Sequence, residues 1–440
     1  MSVMESFVKP WLPTTPPKSY LFTDANIVDP VEGKIHLNAA VYISGGNIIT
    51  VAYDGIIRVP AETKTIDLGG KYLCPGLTDA HVHISAVPGE VDFRHVVSTP
   101  EQQALTRMTF VCRDMLRRGF TIARDCGGAP YALKQACEEW LIAGPRLYIA
   151  GHALSQTGGH GDFRSAHDHK ECVSGFVSGL GRICDGIPEC LRVARDELRC
   201  GADFIKIMAG GGVVSPTDGL SNLQFSPEEI QALVQVAGNG KTYVTCHAYT
   251  PESIKIAIEN GVKGIEHGNF LNQETAEMMA AKDVYLTPTL VTYHTLADPS
   301  LPQFLTAESV QKNVKVLNAG FQSLRIAKAA GVNMCYGSDL LGPLGTYQCG
   351  EFGLRSKVLP ALDILRSATI NPARMMGLKK AGQIQEGMWA DMLVLKNNPL
   401  EDITVLERHE SELLAVIKGG RFCYSKLPHI TGLLDDFAKL

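Results

Sequence analysis

The stretch Lys71-Tyr-Leu-Cys-Pro-Gly-Leu-Thr-Asp-Ala-His-Val-His83 decides how this chain is read. It is an apolar run that ends on two histidines one residue apart. On a β-strand, residues i and i+2 face the same way. His81 and His83 therefore place two imidazoles on one face of a strand end, where both can hold one divalent ion. A His-x-His pair alone is weak evidence. It gains force because further candidate ligands stand in or at the ends of later strand-like runs: Lys206, His247, His267 and Asp339.

Outward from that stretch the pattern alternates strand and helix. Apolar runs at Thr121–Arg124, Leu147–Ala150, Phe204–Met208, Tyr243–Cys246, Gly264–Ile265, Tyr285–Leu290 and Asn333–Tyr336 follow the first strand, which starts at Leu73. Helix-start signals lie between them. Ser226-Pro-Glu-Glu and Thr99-Pro-Glu-Gln each offer an N-cap hydroxyl, Pro at the first helical position and Glu or Gln three residues on. Thr250-Pro-Glu-Ser is a partial case, and Gly119, Gly144, Gly201 and Gly261 sit where helices should stop. Eight strands alternating with helices predict an α/β fold, a (β/α)8 TIM barrel over residues 73–377. Short β runs before and after it, residues 19–72 and 378–425, predict one composite small β-sandwich domain. A Pro-rich arm (1–18) and a tail (426–440) flank these, the tail holding at most a turn of helix. Residues 155–186 show no periodicity, carry many glycines with His160, His167 and His169, and follow the third strand. A loop of this length inside a compact domain is expected to be a lid or substrate loop.

Composition narrows the function classes. The 440 residues are 45% hydrophobic and 20% charged with a net charge of -5, which gives no electrostatic case for binding nucleic acid or an anionic membrane. No apolar run reaches the ~18–20 residues of a transmembrane helix, and no signal-peptide pattern opens the chain. The twelve cysteines are scattered without a CxxC pair, which suits reduced thiols and a cytoplasmic protein.

The chemistry follows from the shared address of the ligand candidates. In a barrel the ends of strands 1, 4, 5, 6 and 8 converge on one rim, where polar residues read as catalytic. Imidazole and carboxylate suit Zn2+ and similar ions. Lys206 is unusual in the apolar run Phe204-Ile-Lys-Ile-Met208, because a lysine there must neutralise, pair or be modified. Carbamylation by CO2 would make it a carboxylate able to bridge two metals; a neutral or carboxylate-paired lysine is the plainer alternative.

Taken together, Pro75-Gly-Leu-Thr-Asp-Ala-His-Val-His83, Lys206, His247, Gly264-Ile-Glu-His267, Gly337-Ser-Asp339 and Ala381-Gly-Gln-Ile-Gln-Glu-Gly-Met-Trp-Ala-Asp391 resemble the metal-dependent amidohydrolase superfamily, over about residues 20–424. Ala153-Leu-Ser-Gln-Thr-Gly-Gly-His160-Gly-Asp162, Lys206-Ile-Met-Ala-Gly-Gly-Gly212 and His247-Ala-Tyr249-Thr-Pro-Glu252 are similar to the imidazolonepropionase-like branch that holds microbial Xaa-Pro dipeptidases and an ochratoxin-hydrolysing amidase. The resemblance implies hydrolysis of an amide bond next to a free carboxylate, in a dipeptide or N-acyl amino acid, by a cytoplasmic homo-oligomer acting on a small molecule. It implies two zinc ions: His81, His83 and Asp339 on one, His247 and His267 on the other, and N6-carboxylysine at Lys206 bridging them. A water held there loses its proton near neutral pH, and Asp339 accepts it and passes it to the leaving amine. His160 and Tyr249 then contact the substrate carboxylate or the oxyanion, and Arg124 and Arg164 are further candidate carboxylate clamps. Alternative readings are an ester or lactone hydrolase, a decarboxylase or dehydratase, and a non-catalytic scaffold. The paired ligand set argues against the lyases and intact Asp339 against the scaffold.

Overall fold

The computed structural model describes residues 7–13, 15–90, 96, 99–164, 167, 179–215, 218–301 and 304–427. In the first part of the chain, β1 (Tyr20–Asp29), β2 (Lys34–Ser44), β3 (Asn47–Ala52), β4 (Lys64–Asp67) and β5 (Tyr72–Pro75) build the start of a mainly antiparallel sheet. A parallel α/β region follows, with strands β6 (Leu77–Val82), β7 (Phe120–Asp125), β8 (Arg146–Ile149), β9 (Ala153–Ser155), β10 (Gly181–Ile183), β11 (Ile205–Met208), β12 (Val244–Ala248), β13 (Gly264–His267) and β14 (Tyr285–Thr287). The chain then returns to the first sheet as β15 (Met392–Leu395), β16 (Leu413–Lys418) and β17 (Arg421–Ser425).

The small sheet has eight strands in the order β17-β16-β15-β5-β1-β2-β3, with β4 on β1. Hydrogen bonding thus joins its strands in one sheet, where two packed layers were expected. The sheet branches at β1, whose first half pairs with β4 and whose second half pairs with β5. The positive φ of Asp24 (48°) marks the bend between those halves. One face buries Tyr20, Phe22, Ile43, Ile48, Met392, Ile417 and Phe422, brought together from both ends of the chain. Leu73–Pro75, expected to open the first parallel strand, pairs instead with β1 and β15; the parallel region begins at Leu77.

Two parallel pieces make up the α/β region, β6-β7-β8 and β10-β9-β11-β12-β13-β14. The third strand, expected at Leu147–Ala150, is β8; the backbone turns at Gly151 (φ +69°) and a further strand, β9, follows in the other piece. Backbone hydrogen bonds still join the pieces. Asp203 N donates to Ile149 O at 2.7 Å, linking the approach to β11 with β8. At the other side the expected eighth strand, residues 333–336, makes a single bridge, Leu286 to Met334. It is tied to β14 by Cys335 N to Leu286 O (2.7 Å) and to β6 by Ala80 N to Tyr336 O (2.7 Å). Among the described strands no single closed sheet forms, because β8 makes no ladder with the second piece and the eighth segment makes only one bridge.

The helices between strands follow the local signals in part. The helix Pro227–Asn239 opens on a capping box built by Ser226 and Glu229, and Thr250 caps Pro251–Glu259. The helix Glu101–Arg117 starts after Pro100 without a side-chain cap, one residue later than Thr99 predicts. Gly119, Gly201 and Gly261, all near φ +94°, make the turns after helices that only glycine enters without strain. Eleven cysteines are free among the described residues, and only Cys200 of these is exposed. No described helix is long and apolar enough to cross a membrane. The tail reading beyond residue 427, and the centre of the expected lid (165, 166 and 168–178, with His169), lie outside the described residues. The ends of that segment are β9 and β10, paired in parallel, rather than loop.

Arg355 holds the irregular side together. Fully buried, it donates to Pro288 O (2.7 Å), Cys335 O (3.0 Å) and Glu351 Oε1 (2.7 Å), tying the end of β14 to the eighth segment. Replacing it with Met leaves those acceptors buried without a donor. Arg355→Met should lower the unfolding free energy by roughly 3–5 kcal/mol, the usual result of breaking a buried ion pair. Urea melts of both proteins read this, and a loss below about 1 kcal/mol would contradict it.

Candidate active site

A buried chain of charge runs across the parallel strands. Arg124 on β7 donates from Nη2 to Glu266 Oε1 on β13 at 2.6 Å, and from Nε to Ala80 O on β6 at 2.6 Å. The Arg124 guanidinium lies 5.0 Å from the Phe204 ring centroid. The other Glu266 oxygen accepts from His81 Nδ1 at 2.7 Å, and Thr245 Oγ1 also donates to Glu266. All of these side chains are buried. Burial alone would raise the Glu266 carboxyl, but Arg124 and His81 beside it hold it well below its usual range.

That chain aims His81. With Nδ1 committed to Glu266, Nε2 points away from it, 3.3 Å from Asp339 Oδ1. His83 repeats the arrangement: Nδ1 bonds Gly127 O at 2.8 Å and Nε2 stands 3.4 Å from the same Asp339 oxygen. His267 Nδ1 is 2.8 Å from Thr289 Oγ1 and 4.0 Å from Asp339 Oδ2. Ligand atoms of His81, His267 and Asp339 all lie within 4.8 Å of one another. His247 Nε2 bonds Gly211 O at 3.0 Å, and its ring centroid is 4.6 Å from that of His267. Each imidazole thus has one nitrogen held by a neighbour, which fixes its orientation.

Backbone conformation contributes. Successive strand residues point to opposite faces, yet Glu266 bonds the His81 ring and His267 lies against it, centroids 5.0 Å apart. His267 leaves the pleat at φ +74°, and Asp339 stands at φ +52°. Two non-glycine residues in the left-handed region, at the centre of a polar cluster, mark strain kept where function needs it. Gly337 is required beside them: a Cβ there would come within 2.9 Å of His81 Cβ and 2.6 Å of Thr287.

Titration agrees with ligand chemistry at His247 and His267 but not at His81, where burial would lower the ring and Cys126, Asp339 and Glu266 instead hold it well above ordinary histidine. Burial first, then the neighbouring imidazoles and Lys206, hold His247 and His267 well below ordinary histidine, so both rings are neutral, the form that binds metal. Burial would raise Asp339, but His81 and His83 lower it further, leaving a carboxylate. Lys206, on β11, is buried, and among the described residues no hydrogen bond or ion pair reaches its Nζ. A cation buried without a partner is costly, and this amine faces the cavity that the histidines line.

The cavity joins these residues to others. Its wall includes His81, His83, Lys206, His247, His267 and Asp339, together with His160, Tyr249, Tyr293, Phe163, Leu180, Val213, Val214, Leu296 and Leu341. The structure therefore brings together eight of the ten residues that the sequence singles out. The two arginines depart from expectation. Arg124 is sealed inside the region and occupied by Glu266, so it is not a substrate clamp, nor does it pair with its neighbour Asp125. Arg164 is engaged bidentately by Asp162 (Nε–Oδ1 2.8 Å, Nη2–Oδ2 2.7 Å) and does not line the cavity. Tyr293, whose hydroxyl meets that of Tyr249 at 2.8 Å, is not visible in the sequence, because the apolar run Tyr285–Leu290 reads as strand while the helix Leu290–Leu296 begins inside it. Glu266 likewise does not stand out as a separate functional residue, although Gly264-Ile-Glu-His267 contains it.

The amidohydrolase family profile matches residues 72–422. The chain belongs to the amidohydrolase family. This amidohydrolase is 31% identical over 415 residues to ochratoxinase of Aspergillus niger, covering 90% of its own length and 85% of the relative's. Among solved structures, a prolidase complexed with N-methylphosphonate-L-proline is similar at 39% identity with a TM-score of 0.88, over 92% of this chain and 99% of that one. A Xaa-Pro dipeptidase with methionine bound in its active site is similar at 28% identity and a TM-score of 0.83, over 93% and 100%. These neighbours imply the TIM-barrel architecture with a small added domain. The enzyme is a hydrolase of C–N bonds, and its family binds divalent metals. The donor set fits such ions: imidazole nitrogens and a carboxylate converge, and Lys206 Nζ lacks any other partner among the described residues.

Because Glu266 neutralises Arg124 and orients His81, Glu266→Gln leaves a buried guanidinium uncompensated. Roughly 3–5 kcal/mol of stability should be lost in chelator-treated protein, where metal binding makes no contribution. Denaturation curves check this, and a wild-type midpoint for the variant would contradict the role given to the pair.

Proposed function

We propose that this amidohydrolase is a binuclear zinc enzyme that cleaves an amide bond next to a free carboxylate, in a dipeptide or an N-acyl amino acid. The observation that carries the reading is the gathering of His81, His83 and His267 around Asp339 in one cavity with His247, Lys206, His160 and Tyr249. Similarity to an ochratoxinase and to prolidase-type enzymes supports the substrate class. In this reading His81, His83 and Asp339 would hold one ion and His247 and His267 the other, with Lys206 as N6-carboxylysine a ligand shared by both. The parallel strands close into an eight-stranded barrel through residues 333–336, with residues 19–72 and 378–425 forming the small domain, and the enzyme works as a cytoplasmic homo-oligomer.

Bound there, the ions supply an acidified water and polarise the scissile carbonyl. The chain's own residues do the rest. Asp339, a carboxylate beside two imidazoles, takes the proton from the attacking water and returns it to the leaving amine. Tyr249 and His160, which pack against His247 in the cavity wall, meet the polar end of the substrate. With Arg124 and Arg164 engaged elsewhere, anchoring of a carboxylate falls to the hydroxyl pair of Tyr249 and Tyr293, while His160 meets a neighbouring polar group of the substrate. Phe163, Val213, Val214, Leu296 and Leu341 line the remaining wall and exclude water from the reacting groups.

Asp339→Asn keeps the size of the side chain and removes the proton acceptor. Turnover should fall roughly 10²–10⁴-fold, the usual cost of losing general acid–base help. Steady-state kinetics on a dipeptide panel, with metal content measured in parallel, reads this, and near-normal turnover would place the base elsewhere.

A site that anchors a carboxylate rejects substrates lacking one, because its own polar groups are then left unpaired. Amidating the C-terminal carboxylate of a good substrate should sharply lower kcat/KM, and Tyr249→Phe should narrow the gap between the two forms. Equal kcat/KM for acid and amide in the wild type would overturn the carboxylate-anchor reading and favour an ester or lactone hydrolase.

A further inference from the structure

His160 is held far more tightly than a loop histidine needs. Its Nδ1 is 2.8 Å from Ser215 Oγ, and the Ser215 hydroxyl donates to Asp218 Oδ1. The second Asp218 oxygen accepts from Gln224 Nε2 at 2.9 Å and from Gly212 N at 3.1 Å. Gln224 closes the circuit, since its Oε1 accepts the backbone N–H of His160 at 2.8 Å. Both the ring and the backbone of His160 are therefore tied to one buried carboxylate. Ser215, Asp218 and Gln224 are all buried. Gly212 carries no side chain where a Cβ would overlap the His160 ring. From the helix Ala307–Ala329, Lys312 Nζ donates to Asp218 O at 2.6 Å and fixes the segment from outside.

The circuit has a direction. A carboxylate only accepts, so the Ser215 proton points at Asp218 and the Ser215 oxygen must accept in turn. The nitrogen facing it, His160 Nδ1, must then carry hydrogen. Nε2 is left as the ring nitrogen offered to the cavity, where His160 is part of the wall and stacks on His247 with centroids 4.2 Å apart. We propose that Asp218, acting through Ser215, is the positioning residue for His160: it fixes the proton on Nδ1 and turns Nε2 toward the substrate. This rests on the reading above that His160 contacts substrate. It adds a role for Ser215, Asp218 and Gln224, none of which binds metal or substrate in that reading.

The test separates positioning from mere support of the segment. Kinetics on a carboxylate-bearing dipeptide, metal content and thermal midpoint are measured for Ser215→Ala, Ser215→Thr, Asp218→Asn, His160→Ala and the double variant His160→Ala/Asp218→Asn. Ser215→Ala and Asp218→Asn should each lower kcat/KM on the order of tenfold or more, as loss of an orienting partner does, with metal content unchanged. Ser215→Thr, which keeps the hydroxyl, should restore most of the activity. Once His160 is gone, Asp218→Asn should cost no further activity. Losses that multiply in the double variant, or that follow metal content, would overturn the proposal. Nitrogen-15 NMR of labelled histidine, with the His160 signals assigned by their absence in His160→Ala, gives a readout independent of turnover. Hydrogen on Nδ1 in the wild type and its redistribution in Ser215→Ala support the proposal; an Nδ1 signature unchanged in Ser215→Ala would overturn it. A wild type inactive on every carboxylate substrate but showing that NMR change would fail the functional reading alone.

Discussion

Glu266 sits between Arg124 and His81 inside the parallel strands, and the site depends on it. A carboxylate so buried survives as an anion only because a guanidinium at 2.6 Å and an imidazole at 2.7 Å share it. The pair ties β6, β7 and β13 together through side chains. It also commits His81 Nδ1, which turns Nε2 toward Asp339. One interaction thereby serves packing and chemistry together.

The rest of the site elaborates the same device. Each histidine in the cluster spends one nitrogen on a fixed partner: Gly127 O, Gly211 O, Thr289 Oγ1 or Ser215 Oγ. Rings held in this way lose little freedom when a ligand arrives, which is what preorganisation requires. The left-handed backbones of His267 and Asp339 are the cost of bringing these groups within reach of His81. That strain stands at strand ends, where the ladder no longer dictates direction.

Much of this was legible in the sequence. The His81/His83 pair, the strand-end positions of His247 and His267, and Asp339 could be placed from strand periodicity and the convergence of strand ends. Three things resisted. Alternation tells which residues share a face but not which face is interior, so Arg124 read as an outward clamp when it is locked under Glu266. Tertiary partners close in sequence are also opaque: nothing in Gly161-Asp-Phe-Arg164 shows that Arg164 would fold back on Asp162. Apolar runs do not mark where a strand ends, and a strand reaching to Leu290 hides the helix that supplies Tyr293. The small sheet was foreseen as to its segments but not its branching, because the bulge at Asp24 lets one strand pair with two partners on the same side.

The central claim is that these residues hold two ions joined through Lys206. Anomalous diffraction at the zinc edge, from crystals of active, metal-loaded enzyme, tests it most directly. The account predicts two peaks, one contacted by His81, His83 and Asp339 and the other by His247 and His267, with density for a carboxylated Lys206 side chain between them. A single peak, or an unmodified Lys206 in enzyme that remains fully active, would contradict it.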